Sequence, residues 1–148
     1  MFGGGQERAL RPGTLPVQLI VGLGLAAELA LKNHDVRRDR CHSIGRDAIQ
    51  MVGKLGAQIN GVDQPRLAHV LNVRFPGLDS ETLMVGLKGI AAISNGSACT
   101  SVSYKPSHVL KAMGQSDDIA QEAVRISWCH LGSAPNWDEI ESSIRRLL

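Results

Sequence analysis

Residues 94–101 read "SNGSACTS", eight small uncharged side chains with one thiol, Cys99, among them. Asn95 and Gly96 are turn formers that cut the run off from the apolar Ile90–Ile93 before it. The segment has too little apolar surface to bury, which predicts a mobile surface loop whose thiol can reach other molecules. A thiolate is the nucleophile, and an exposed one needs only a positive group or a base nearby to be activated. The other two cysteines stand in patterned stretches, Cys41 in an amphipathic helical pattern and Cys129 just past a strand pattern. Both are expected to be packed and inert.

Arg125 is the second residue with chemistry in its placement. It interrupts "AVRISW" (123–128), an otherwise apolar or small strand pattern, where a charge is unusual unless paired. Two uses are open: a salt bridge at a sheet edge, or a bidentate grip on a ligand carboxylate. Other chemistries find less support. No histidine stands at zinc-finger spacing to a cysteine, and Cys129 and His130, as neighbours on a strand, would point to opposite faces. Asp117-Asp118 and Asp138-Glu139 read as helix-start acids rather than a catalytic pair. Gly3-Gly4-Gly5 is no phosphate loop by itself, because no strand precedes it and no G-K-[ST] follows.

With 148 residues and 43% hydrophobic content, one domain with an ordinary core is expected. The formal charge of +2 is spread without a large single-sign block, so the footprint of a nucleic-acid binder is missing. Arg37, Arg38 and Arg40 cluster, but Asp35 and Asp39 sit among them, as on a solvated helix face. Three cysteines without a C-x-x-C pair fit a reduced, cytoplasmic setting. Leu15–Leu31 is the most apolar stretch, yet Gln18 and Glu28 interrupt it and it is short for a bilayer span. It reads as a buried helix, with Glu28 and Lys32 as an i, i+4 pair and Gly22 and Gly24 marking close approach by another element.

The elements that must position these groups follow from the pattern. A loop opens the chain, and a helix runs to about Asn33. A second helix with Val36, Ile44, Ala48, Val52 and Leu55 on one stripe ends at Gly56. Leu71, Val73 and Phe75 alternate with polar residues in a half-buried strand that closes in a Pro76-Gly77 turn. Asp79 or Ser80 caps a helix through Leu87, and "IAAIS" reads as a short buried strand leading into the thiol loop. Pro106 marks the first turn of a further helix that ends at Gly114. After the strand at 123–128, Asn136 caps a last helix with acids in its first turn and Arg145 and Arg146 in its last. The fold class is α+β: three or so strands with helices packed on one face of a small sheet.

Several stretches together resemble one family. "GGGQERALRPGTLPV", "HVLNVRFPGLDSETLMVGLK", "SNGSACTS", "KPSHVLKAMG" and "VRIS" stand in the order seen in the C-terminal part of NifS/IscS-like cysteine desulfurases, a branch of the class-V aminotransferases. The resemblance covers nearly the whole chain, and its most specific pieces are the Gly-rich opening and the "GSACTS" loop. It implies the small C-terminal domain of a fold type I pyridoxal-phosphate enzyme plus its long connecting helix. The implied division is a Gly-rich loop at 1–15, a connecting helical segment at 16–57, and a small α+β domain at 58–148 with the persulfide loop at 94–103. It further implies that Cys99 takes the substrate sulfur as a persulfide, that Arg125 holds the substrate carboxylate, and that Thr14 contacts the cofactor phosphate of the partner subunit. Cys99 would ligate an iron–sulfur cluster transiently at most. The implied partners are a second copy in a homodimer, L-cysteine as substrate, and a sulfur acceptor or iron–sulfur scaffold protein, with no nucleic acid and no membrane.

The departures from the family are specific. Its Schiff-base lysine precedes the Gly-rich loop, and Lys32, Lys54, Lys88, Lys105 and Lys111 all match other parts of it. The chain alone is therefore expected to bind no pyridoxal phosphate and to release no sulfur. Cys129-His130 stands where the family usually has Gly-Arg, and Asn95 where it has Ser. A cofactor-free persulfide carrier or adaptor, and an inert gene fragment, are the alternatives to a desulfurase portion.

Overall fold

The computed structural model describes residues 2–95 and 106–148, so Cys99 lies outside the described residues. These form two units, Met1–Val36 and Arg37–Leu148. The first holds the opening loop and helix α1, Val17–Lys32. Pro16 stands just before α1, where its missing N–H costs nothing, and Asn33 ends it by donating from Nδ2 to the Leu29 carbonyl at 2.8 Å. None of its residues is buried, and Leu19, Val21, Leu23 and Leu31 are largely exposed. This corrects the expectation of a buried helix. A helix apolar on every side is what the sequence encodes, and no element of its own unit covers it. Gly22 and Gly24 face open space, and Glu28 and Lys32 form no ion pair among the described residues.

Helix α2, His34–Lys54, buries Cys41, Ile44, Ala48, Met51 and Val52, a stripe at helical spacing. Val36, expected on that stripe, is exposed. The helix stops at Gly56, whose φ of +70° lets the Ala57 N–H reach the Val52 carbonyl at 3.2 Å and the Gly56 N–H reach Gly53 at 3.1 Å. A side chain there would strain the left-handed backbone that these bonds need.

The second unit is built on a three-stranded antiparallel sheet in the order β1 (Gln58–Ile59), β2 (Val70–Arg74), β3 (Ala123–Ser127). Central β2 buries Leu71 and Val73, and Phe75 follows them, each at most 1% exposed. Burial of side chains this size stabilises the fold by about 1.5–3 kcal/mol each. Opposite Val73 lies Val124, fully buried. On this face pack α2, α3 (Ser80–Gly86) through Leu83, and α6 (Trp137–Arg145) through Ile140 and Ile144. A smaller cluster of Ala123 with Leu110 of α4 (His108–Ala112) and Ala120 of α5 (Asp117–Gln121) accompanies this core.

The caps agree with the acids read as helix starts. Asp79 accepts from the N–H groups of Glu81 and Thr82, Ser116 from Ile119, and Asn136 from Glu139. Two expected elements differ. "IAAIS" is no strand, because only Ser94 pairs, with Arg125, in an isolated bridge. Pro106 precedes α4 rather than opening it, Ser107 being the flanking residue.

Candidate functional site

Arg125 sits on β3 between Asn72 of β2 on one side and Ser94 on the other. The Arg125 N–H donates to the Ser94 carbonyl at 2.6 Å, and the Ser94 N–H donates to the Arg125 carbonyl at 3.1 Å. Ser94 opens the segment that carries Cys99, so the backbone pair fastens the root of that segment to the strand bearing the arginine. Reading "AVRISW" and "SNGSACTS" separately did not reveal this pair, because a single bridge leaves no periodic signal.

The environment of Arg125 is clearest against Arg74, which stands on the same sheet face. Arg74 donates to Glu122 at 2.7 Å and to Gln58 at 2.7 and 3.0 Å, and both members of its ion pair are about four-fifths shielded. Glu122 also accepts from the Gly77 N–H at 2.8 Å, which ties the Pro76-Gly77 turn to the pair. That is a structural arginine. Arg125 is exposed, and its guanidinium has no hydrogen-bond or ion-pair partner among the described residues. Of the two uses the sequence left open, the salt bridge is absent within the described residues. Neighbouring Asn72 is held by Asn60, whose Nδ2 donates to its Oδ1 at 2.6 Å. A planar cation whose donors have no partner among the described residues is suited to a carboxylate.

Thr14 lies in the first unit, exposed, in a loop closed by its own side chains. The Gly13 N–H donates to Gln6 Oε1 at 3.1 Å, and Arg11 Nη1 donates to the carbonyls of Gly13 and Thr14 at 3.2 and 3.3 Å. Glu7, Arg8 and Ala9 all have positive φ, between 53° and 64°, and form one left-handed turn closed by the Ala9 N–H on Gly5 at 3.2 Å. Three consecutive non-glycine residues in that region store strain, of the kind kept where a loop must hold one shape. Gly3 has φ +152°, and a Cβ on it would stand 2.5 Å from Pro12 Cβ. Only glycine fits there.

Cys41 is buried as expected, but Cys129 is exposed. The strand ends at Ser127 and the chain turns out through a Gly132 N–H to Cys129 carbonyl bond of 3.4 Å, so no neighbouring strand shields the thiol. Two carboxyl groups depart from their ordinary range. Asp79 is held low first by the Thr82 hydroxyl and then by the backbone N–H groups of Thr82 and Glu81. Glu141 is held low chiefly by Arg145, which donates to it at 2.7 Å, with Lys54 at 3.6 Å adding to the effect. Both belong to helix ends and helix pairing, away from Arg125 in sequence.

The aminotransferase class-V family model matches residues 4–139. The chain is 40% identical to the cysteine desulfurase IscS of Tolumonas auensis, over 97% of its own length and 35% of that protein's. It is 42% identical to IscS of Vibrio campbellii over 86% of itself and 32% of the relative. A solved NifS-like protein superposes with a TM-score of 0.72 at 31% identity, across 99% of this chain and 36% of that one. The chain spans about a third of the length of the curated relatives it matches. It belongs to the class-V aminotransferase family, on the branch of the IscS- and NifS-like cysteine desulfurases.

Proposed function

We propose that this chain is the sulfur-accepting portion of a cysteine desulfurase. The observation that carries the reading is the Ser94–Arg125 pair, which joins the root of the Cys99 segment to an exposed arginine with no side-chain partner among the described residues. Arg125 binds the carboxylate of L-cysteine and orients the substrate. The Cys99 thiolate attacks the substrate sulfur, an S–S bond forms, and the Cβ–S bond breaks. The bonding pair stays with the carbon, which takes up a proton and leaves as alanine. Cys99 then holds the sulfur as a persulfide for transfer to an acceptor thiol or an iron–sulfur scaffold protein. Gln6 and Arg11 fix the loop that presents the Thr14 hydroxyl.

The cofactor implied by the family fits only in part. The exposed Thr14 hydroxyl on its fastened loop suits a phosphate oxygen of pyridoxal phosphate bound by a partner subunit. The resemblance gives none of the five lysines the Schiff-base role, and two of them, Lys54 and Lys111, are engaged with Glu141 at 3.6 Å and Asp117 at 2.8 Å. When bound in the complete enzyme, the cofactor supplies the electron sink that makes the substrate C–S bond labile. The division of labour is a Gly-rich loop at 1–15, a connecting segment at 16–57, and a domain at 58–148 that carries the transfer chemistry.

Alanine formation from L-cysteine tests this, with the chain given pyridoxal phosphate either alone or with the separately expressed remainder of a relative. We expect no turnover and no visible cofactor band alone, and turnover in combination that Cys99→Ser abolishes. Turnover by the chain alone, or activity that survives Cys99→Ser, would show the reading to be wrong.

A further inference from the structure

Between α2 and the segment that leads into β2 lies a cavity of about 120 Å³, lined by His42, Gly45, Arg46, Arg66, Ala68 and Trp128 among others. One of its walls is fixed. The Trp128 indole Nε1 donates to the Cys41 carbonyl at 2.9 Å, which pins the ring along α2, and a Cβ at Gly45 would stand 3.0 Å from Trp128 Cζ2. A ring held by a hydrogen bond and packed this closely on the helix cannot swing into the space beside it, so that space is kept rather than filled.

The charged groups around it are of one sign. His42 and Arg46 stand one turn apart on α2, and Arg66 comes from the loop before β2. All three are exposed, and none of their side chains has a hydrogen-bond or ion-pair partner among the described residues. No carboxylate among those residues lines the cavity. Elsewhere in this unit cations are matched, Arg74 to Glu122, Lys54 and Arg145 to Glu141, and Lys111 to Asp117. Two guanidinium groups on one cavity repel each other, and an anion of two charges between them turns that repulsion into attraction. One acceptor adjoins the same space. The Ala68 carbonyl lies 3.6 Å from where a Gly45 Cβ would stand and accepts no backbone hydrogen bond among the described residues.

We propose that this cavity binds inorganic phosphate in its hydrogenphosphate form. Arg46 and Arg66 balance its two charges, each with a planar fork suited to a pair of phosphate oxygens. His42 donates from a ring nitrogen, and the one hydroxyl of the ion donates to the Ala68 carbonyl. The volume, that of a few waters, suits a tetrahedral oxyanion. The Trp128 ring keeps water from one side, which strengthens the attraction. Sulfate has the same shape and charge but no proton, so one of its oxygens would meet the Ala68 carbonyl as acceptor against acceptor. The cavity therefore distinguishes the two ions. None of these residues is given a part in the sulfur-transfer reading, and the inference does not depend on it.

The test is a calorimetric titration of the 148-residue chain with sodium phosphate in a slightly alkaline, sulfate-free buffer, with the indole N–H signals followed by nuclear magnetic resonance. Binding should saturate at one ion per chain, and the Trp128 signal should move while that of Trp137, which does not line the cavity, stays in place. Sulfate should bind about tenfold more weakly, the effect of losing one hydrogen bond of a charged group. Arg46→Gln and Arg66→Gln should each weaken phosphate binding by about tenfold or more for the same reason. Both side chains are exposed, so an unchanged urea midpoint verifies that these variants fold. Lys88→Gln, at an exposed cation outside the lining, should bind phosphate as the parent does. No saturation up to tens of millimolar phosphate would overturn the proposal. Equal affinity for sulfate, or a loss in Lys88→Gln equal to that in Arg46→Gln, would also overturn it, since that is the behaviour of a diffuse positive surface.

Discussion

Arg74 and Arg125 stand on one face of neighbouring strands, and their surroundings separate a structural cation from an available one. Arg74→Met leaves Glu122 without its partner in a largely shielded site and should cost about 1–3 kcal/mol in urea unfolding. Arg125→Met should stay within about 0.5 kcal/mol, because an exposed side chain with no partner among the described residues contributes little to stability. Equal losses would remove the basis for treating Arg125 as a ligand-binding group. Arg74 falls on the polar side of an alternating strand and Arg125 interrupts an apolar one, so the sequence marked Arg125 as odd without revealing that, among the described residues, Arg74 is the paired one and Arg125 is not. That depends on Glu122 lying across the strand from Arg74, a distance of 48 positions along the chain. The thiols divide in a similar way. Cys129 should react with iodoacetamide in the native protein and Cys41 only after unfolding, as peptide mapping would show. Alternation along "AVRISW" suggested packing for Cys129, and the strand stopping at Ser127 removes it.

Helices and strands were largely legible because burial sets their period. Leu71, Val73 and Phe75 announce β2, and Ile44, Ala48 and Val52 announce α2, since each series repeats at the spacing of its element. Caps were legible as well, and α3 offers a pH test of one. Asp79 accepts from two N–H groups and from the Thr82 hydroxyl, so its folded pKa lies below the ordinary value of 3.8. The carboxyl is favoured in its charged form, so its contribution is complete above the ordinary aspartate range and is lost as pH falls through the folded value. Asp79→Ala should cost about 1 kcal/mol at neutral pH, and the gap to the parent should close on acidification below pH ~4. A gap independent of pH would mean that the cap works by shape rather than by charge. Single bridges and loop-closing side chains were not legible. Gln6 holding Gly13, Arg11 holding Thr14, and Ser94 bridging Arg125 are isolated contacts with no repeat to betray them.

At the scale of the whole chain, α1 is the feature that most shapes behaviour in solution. A 16-residue helix with no buried residue and Leu19, Val21, Leu23, Leu25 and Leu31 exposed presents more apolar surface than a soluble monomer usually leaves open. We expect a dimer or higher oligomer by sedimentation velocity, dissociated by Leu→Gln changes at Leu19 and Leu23, and a monomer at high concentration would contradict it. Among the described residues no helix is long and apolar enough to cross a membrane. The central claim, that Cys99 is the thiol that carries sulfur, can be read from a single digest. Trypsin cuts after Arg40, Arg46, Lys88, Lys111, Arg125 and Arg145 but not between Lys105 and Pro106, so each cysteine falls in its own peptide. After treatment of the native chain with a stoichiometric persulfide donor, mass spectrometry should find the added sulfur chiefly on the peptide of residues 89–111, and Cys99→Ser should abolish it there without raising it elsewhere. Sulfur found mainly on the Cys41 or Cys129 peptide, or equal total labelling of the Cys99→Ser variant, would contradict the account.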